Sequence, residues 1–461
     1  MLLRLACLED LTLQLHYYCS AQHTPYRLTQ LTLPSGDPST SETDSIFVDP
    51  SVRYQQIEGF GGAFTEASAL TFFKLPAERQ RELLAAYFDP VLGHGYTLCR
   101  THINSCDFSQ GNYAYAGQEG DAELRSFSID RDRQALLPLI QAAQQAAGRP
   151  LKLLATPWSP PAWMKTNGRM TGGGKLKPEY RAAWAEYYCR YIRAYAQEGV
   201  PIWGVSVQNE PEAVQTWESC LYSGVEERDF VRDFLGPALA RHSLGDVRLL
   251  IWDHNRDRMV ERASAVLSDP DAARYVWGTA FHWYVTDRFD NVQLVHDLFP
   301  DKHLLFTEGC QEGGPHLGDW QMGERYARSM INDVNRWTVG WIDWNLLLDI
   351  DGGPNHVGNY CSAPILANTE TGALHYQSSY YAIGHFARFI QSGARRILCA
   401  TSHDLLEAAA FLNPDGQIAV VVLNRSDQTR PVALTVGSER AHVECLAHSI
   451  STFLASASGE E

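Results

Sequence analysis

The sequence contains no Cys-x-x-Cys pair. Its ten cysteines (Cys7, Cys19, Cys99, Cys106, Cys189, Cys220, Cys310, Cys361, Cys399 and Cys445) are scattered through 461 residues. The paired spacing of a structural zinc site is therefore missing, and no metal-held module is expected. No stretch reaches the roughly 18 uninterrupted apolar residues of a spanning helix, so no integral membrane segment is expected either. The start, MLLRLACLEDLTLQLHYY, breaks its apolar run with Glu9 and Asp10, and no small-residue cleavage site follows. Read as lacking a signal peptide, the chain is expected to be cytoplasmic with reduced thiols, and the single sequon Asn424-Arg425-Ser426 then carries no weight. Basic residues are in deficit: Lys+Arg 38 against Asp+Glu 54 leaves a net charge of −16. That balance repels nucleic-acid phosphates and anionic membrane surfaces, so no nucleic-acid partner is expected. No strand-like run is followed by a Gly-rich phosphate turn. Gly172-Gly173-Gly174 lacks the Gly-Lys-Ser/Thr of a P-loop and reads as a loop.

An apolar fraction of 45% with 20% charged residues is that of a folded globular chain, which excludes disorder, collagen and coiled coil. Aromatics reach 11%, with 12 Trp and 21 Tyr, a composition suited to stacking on sugars or flat ligands. Three zones follow. At the N-terminus LTLQLHYY (11–18) alternates apolar and polar residues as a half-buried strand does, and PYRLTQLTL and SIFVD continue the pattern. A Ser/Thr/Gly/Pro-rich bridge then leads into short apolar runs separated by amphipathic stretches, which persist to about residue 386. The last zone returns to strands with LLEAAAFL, QIAVVVLN, PVALTV and HVECLAHSISTFL.

In the middle zone, strand-like runs begin near Ile57, Thr97, Leu151, Ile202, Val247, Val276, His303 and Val339. Successive starts lie between 27 residues (Val276 to His303) and 54 residues (Thr97 to Leu151) apart. That spacing suits a strand, a helix and their loops. One such helix is legible after Pro178, with Trp184, Tyr187, Tyr188, Tyr191, Ile192 and Tyr195 at helical spacing up to Gly199; another opens at Pro76. Eight fully apolar strands alternating with helices predict a (β/α)8 TIM barrel over 51–386 rather than an open doubly wound sheet. Strands from 1–50 and 387–461 are predicted to build an appended β-sandwich.

Barrel function is read at the C-terminal ends of the strands. Those positions hold Arg100 and Asp107 after the second strand, Trp158 after the third, Asn209 and Glu210 after the fourth, His282 and Tyr284 after the sixth, Glu308 after the seventh, and Trp344 and Asn345 around the eighth. Glu210 precedes Pro211 and Glu308 precedes Gly309, each at the end of an apolar run. A carboxylate pair facing across an aromatic-lined mouth is what glycoside hydrolysis needs: one group protonates the leaving oxygen and the other attacks the anomeric carbon, about 5–5.5 Å away if configuration is retained. Asn209 suits a donor to a sugar 2-hydroxyl. Glu58, Glu66, Glu212, Glu312, Asp343, Asp349 and Asp351 are rival carboxylates by position, and Trp163, Trp184 and Trp203 read as packing residues. With only His102 and His282 read at strand ends, a catalytic metal is disfavoured, and no cofactor is expected.

The segments IEGFGGAFTEASAL, CRTHINSCDFS, LLATPWSPPAWMKTNG, WGVSVQNEPE, FHWY, FTEGC, VGWIDWNLLLDIDGGPN and VVVLNRS resemble, in order and spacing, the glucosylceramidase family, glycoside hydrolase family 30. The resemblance implies a TIM barrel with a β-sandwich and a retaining, metal-free attack on a terminal β-glucoside. It implies Glu210 as acid/base and Glu308 as nucleophile. Asp107, Trp158, Asn209, Trp344 and Asn359 would hold the sugar, and Arg100, Asp253, His282 and Tyr284 would surround them with hydrogen bonds. The tract Ala213–Gly224 and His356 depart from the family pattern, so β-1,6-glucanase, β-xylosidase and β-fucosidase stay open beside β-glucosidase. From another class, a carbohydrate-binding protein that has lost its chemistry is the alternative.

Overall fold

The computed structural model describes residues 13–33 and 43–456; Cys7, Glu9, Asp10 and most of the Ser/Thr/Gly/Pro bridge lie outside the described residues. Eight strands close into a barrel, with parallel pairing around it. In chain order they are Gly59–Phe64, Leu98–Ile103, Lys152–Pro157, Ile202–Ser206, Arg248–Asn255, Gly278–His282, His303–Glu308 and Thr338–Asn345. Each begins within two residues of the start read from the sequence. A parallel strand in a closed barrel meets the lumen on one face and other protein on the other. It therefore buries nearly every residue, which is why these runs show no alternation.

Inside the lumen, Leu98, Leu154, Leu250, Ala280, Leu305, Val339 and Ile342 form one apolar layer. Two residues further along a strand the side chain faces the same way. That step turns Leu98 into Arg100, Leu154 into Thr156, Ala280 into His282 and Leu305 into Thr307, all buried. The lumen thus changes from apolar to polar within one layer. The fifth strand reaches this polar layer by a bulge. Trp252 (φ 72°) and Asp253 (φ 52°) are both left-handed, and the pairing register with the sixth strand shifts there.

The helix expected after Pro178 opens with a 3₁₀ turn, Pro178–Tyr180, and becomes α-helical over Arg181–Gln197; its predicted aromatic face is the buried one. Gly199, at φ 73°, ends it in the conformation that glycine adopts at least cost.

The chain divides into two compact units. One consists of Glu58–Asp319 and Arg336–Tyr380; the other takes the described residues up to Ile57, the helix-bearing stretch Trp320–Asn335, and everything from Tyr381 on. In the latter unit nine strands hydrogen bond in one ladder, in the order Glu439–Cys445, Arg430–Val436, Asp44–Gln56, Arg395–Thr401, Leu406–Leu412, Gln417–Asn424, Ser449–Ser456, Leu15–Ala21 and Thr29–Leu31. The ladder curls on itself into two layers. Tyr17 near one edge donates to the carbonyl of Glu444 at the other (3.3 Å), and Leu13 to that of Arg440 (3.4 Å). Inward side chains such as Val48, Val420, Leu434 and Phe453 share the core between the layers. The strand Arg395–Thr401 was not read from the sequence, because its paired arginines and Cys-Ala-Thr end mask the alternation. Asn424 of the sequon is fully buried and donates to the carbonyls of Gln428, Cys445 and Leu446 at 2.8–3.0 Å, a structural role. Among the described residues no helix is long and apolar enough to cross a membrane.

Candidate active site

Glu308 is the last residue of the seventh barrel strand, and Glu210 follows the fourth strand after a short turn. Glu210 sits at φ 46°, its N–H donating to the Asp253 carbonyl at 3.0 Å, with Pro211 fixing the exit. Gly309 must be small: a Cβ there would lie 2.7 Å from Phe306 and 2.8 Å from Trp283. Carboxylate oxygens of Glu210 and Glu308 and a ring nitrogen of His282 all lie within 4.8 Å of one another.

Below them Arg100 is fully buried and joins the parts. Its Nη1 pairs with Glu308 Oε2, while Nη2 donates to Asn209 Oδ1 at 2.9 Å and Asp253 Oδ2 at 2.8 Å. Arg100 lies within the second strand rather than beyond its end, as the sequence reading had it. Asp253 also accepts from Thr156 (3.2 Å), Ser206 (2.5 Å), Thr307 (2.5 Å) and His282 Nε2 (3.0 Å). His282 Nδ1 reaches Glu210 at 3.3 Å, and the Tyr284 hydroxyl donates to Glu308 Oε1 at 3.0 Å. Over this floor opens a cavity of about 380 Å³ lined by Asp107, Trp158, Asn209, Glu210, Tyr284, Glu308, Trp344 and Asn359 among others. Trp158 and Trp344 stack with centroids 5.2 Å apart, and the Asn355 and Asn359 amides donate to Asp107 Oδ2 at 3.3 and 3.1 Å. All eleven residues named from the sequence converge here: eight line the cavity, while Arg100, Asp253 and His282 are buried against them.

Residues 57–390 match the glycosyl hydrolase family 30 TIM-barrel domain, and residues 393–453 match the β-sandwich domain of the same family. The chain belongs to glycosyl hydrolase family 30. This family 30 hydrolase is 38% identical over 406 residues to the lysosomal acid glucosylceramidase of Mus musculus, covering 84% of this chain and 78% of that enzyme. It is 28% identical to an endo-1,6-β-D-glucanase of Aspergillus fumigatus, over 91% of this chain and 90% of that one. Among solved structures, SrfJ from Salmonella typhimurium superposes with a TM-score of 0.90 at 39% identity, over 96% of this chain and 100% of that one.

The electrostatics of the hydrolase site follow from its burial. Burial opposes the charge on Asp253, but the Arg100 guanidinium, His282 and the hydroxyl donors outweigh it and hold the carboxyl far below its usual range. Burial likewise opposes charge on His282, yet Glu308, Asp253 and Glu210 raise it to about 9, so it is an imidazolium at neutral pH. Burial keeps the Tyr284 hydroxyl protonated and therefore a donor. Burial also raises Glu308, with the charge of Glu210 adding to it; at Glu210 burial is outweighed by His254, His282 and Arg100. Direct donation leans the other way, since Arg100 and Tyr284 both donate to Glu308 while Glu210 receives one long contact. The two carboxyls stand close enough to titrate as a coupled pair, and the direct donation by Arg100 and Tyr284 favours charge on Glu308.

Among the described residues, Glu210, His282 and Glu308 also have the spacing of a cation site. The donor set fits a metal poorly. Both nitrogens of His282 are engaged by carboxylates, and Arg100 already supplies a positive charge at Glu308.

Of the rival carboxylates, Glu312 reaches the cavity wall, whereas Glu58 pairs with Lys152, Glu66 with Arg131, and Glu212 with Arg258 and Arg262. Sequence reading missed His254, whose Nε2 lies 3.8 Å from Glu210 Oε1; it is a third strand-end histidine, so His102 and His282 are not alone. The tract Ala213–Gly224 after the acid supplies Ala213, Gln215 and Trp217 to the wall, while Asn255, Cys310 and Cys361 were not read as wall residues. The His254 signal was available two residues past the apolar run LLIW. Asn255 ends the same strand beyond its bulge, and Cys310 and Cys361 sit on loops whose approach no periodicity records.

Proposed function

We propose that this glycoside hydrolase is a retaining, exo-acting β-glucosidase. The observation that carries the reading is the carboxylate spacing. Glu210 and Glu308 oxygens within 4.8 Å match the roughly 5–5.5 Å of retaining enzymes and leave no room for the water that an inverting pair holds between carboxylates about 6.5–9.5 Å apart. Glu308 Oε attacks the anomeric carbon as the bond to the leaving oxygen breaks, and Glu210 gives that oxygen its proton. Glu210 then takes a proton from water, the hydroxide oxygen attacks the same carbon, and Glu308 departs. Arg100 and Tyr284 orient the nucleophile, and Asp107, Asn359 and the stacked Trp158 and Trp344 close around a single terminal sugar.

The β configuration rests on the relatives, named as glucosylceramidases and endo-1,6-β-glucanases. Glucose is favoured by the higher identity to the former, with sphingolipid turnover as the corresponding role. The nine described cysteines all carry free thiols, which supports a reducing, cytoplasmic setting. The test is Glu210→Ala with an activated aryl β-glucoside and added azide. Rescue with a β-glucosyl azide as product supports the assignment, and an α-glucosyl azide reverses the two roles.

A further inference from the structure

The bulge that carries Asp253 into the lumen places two consecutive non-glycine residues, one of them tryptophan, in the left-handed region. Such a conformation persists only where its surroundings over-determine it. The restraint on its outer side is a buried ion pair that lines no part of the cavity. The N–H of Trp252 donates to Glu227 Oε1 at 2.8 Å, and Glu227 Oε2 accepts from Arg262 Nη2 at 2.9 Å. Both side chains are buried, and the Arg262 guanidinium lies 4.8 Å from the Trp252 ring centroid. The other terminal nitrogen, Nη1, donates to Glu212 at 3.0 Å and to the Tyr222 carbonyl at 2.9 Å. Glu212 is two residues beyond Glu210, and the N–H of Tyr222 donates to the Pro211 carbonyl at 2.9 Å. One guanidinium thus ties the loop that presents Glu210 to the strained strand end whose Asp253 carbonyl holds the Glu210 N–H.

We propose that Arg262 and Glu227 are positioning residues for proton transfer: acting through the loop after Glu210 and through the Trp252–Asp253 bulge, they fix the Glu210 carboxyl relative to the leaving oxygen. This rests on the reading of Glu210 as acid/base. Neither residue lines the cavity, and the partners of Glu308 are Arg100 and Tyr284, so losing the brace should impair protonation of the leaving group and leave nucleophilic attack largely intact.

The experiment compares Arg262→Met, Arg262→Lys and Glu212→Gln with the parent on a series of aryl and alkyl β-glucosides of decreasing leaving-group acidity. Glu210→Ala runs alongside. Arg262→Met is expected to keep kcat/KM within about threefold on a dinitrophenyl glucoside, which needs no proton, and to lose tenfold or more on alkyl glucosides, with a displaced alkaline limb in its pH profile. Arg262→Lys should recover part of the loss. If Arg262→Met does not fold, Glu212→Gln, which removes one partner at the half-buried end, should show the same dependence in weaker form. An equal loss on every leaving group, or none on any, overturns the proposal. If Glu210→Ala itself shows no leaving-group dependence and no azide rescue, the acid/base reading has failed instead.

Discussion

Asp107 is a carboxyl that the fold keeps at a cost. It is 4% exposed, and burial raises it from 3.8 to about 8 against the two amides that donate to it. Folding therefore takes up a proton between those two values, so stability falls as pH rises through that window. Each pH unit across it removes about 1.4 kcal/mol, which amounts to about 4 kcal/mol by pH 7. An amide in its place, neutral throughout, is spared that loss while keeping an oxygen for Asn355 and Asn359. Asp107→Asn should match the parent near pH 4 and exceed it increasingly up to pH 8. In urea unfolding at pH 4.5, 6 and 7.5, the gap between the two proteins should widen by about 1.4 kcal/mol per pH unit. The gain comes with a loss of function. Where the protonated carboxyl has an O–H that both donates and accepts, the amide has an NH₂ that only donates, and kcat/KM on a glucoside should fall tenfold or more, about 1–3 kcal/mol. A gap that does not change with pH, or a variant less stable than the parent at pH 7.5, would refute the reasoning.

Arg100→Met leaves Glu308 and Asp253 buried without their shared cation; a loss of about 3–5 kcal/mol in urea unfolding is expected, and an unchanged midpoint would show that the network does not hold the barrel mouth together. For His282, raised to about 9, the imidazolium contributes stability that is fully present below its ordinary 6.5 and is lost as pH rises through 9. NMR of the ring nitrogens should find both protonated at pH 7, and a neutral ring there contradicts the assignment. The pH profile of kcat/KM should be bell-shaped, with both limbs belonging to the coupled Glu210–Glu308 pair, and EDTA should not alter it. Activity lost to EDTA and restored by a divalent ion would place a metal at Glu210, His282 and Glu308.

The barrel was legible because its strands are buried on both faces, and uninterrupted apolar runs, spaced widely enough for a helix between them, can be seen in a single sequence. The two carboxylates were legible because each ends such a run beside a proline or a glycine. Less could be read where the chain departs from its periods. Asp253 reaches the lumen through two left-handed residues, a shift that counting by two along the strand misses, and it entered the reading only through family resemblance. The helix Trp320–Val334 lies in the middle of the chain yet groups with the sandwich, because its partners are the strands Leu406–Leu412, Gln417–Asn424 and Ser449–Ser456. Sequence order alone does not encode that choice. The cavity wall takes Ala213, Gln215 and Trp217 from the tract after the acid and Val285 from the loop after the sixth strand, so that tract was legible as wall while the contribution of the second loop was not.

The central claim is that Glu308 forms a covalent bond to the sugar. A 2-deoxy-2-fluoro-β-glucosyl reagent with an activated leaving group slows hydrolysis of the intermediate more than its formation, so intact-protein mass spectrometry followed by peptide mapping reads the bond directly. The account expects one fluoroglucosyl unit per chain, carried on Glu308 and absent from Glu308→Gln. A label on Glu210 or Glu312, or turnover that proceeds with no labelled protein at any time, would contradict it.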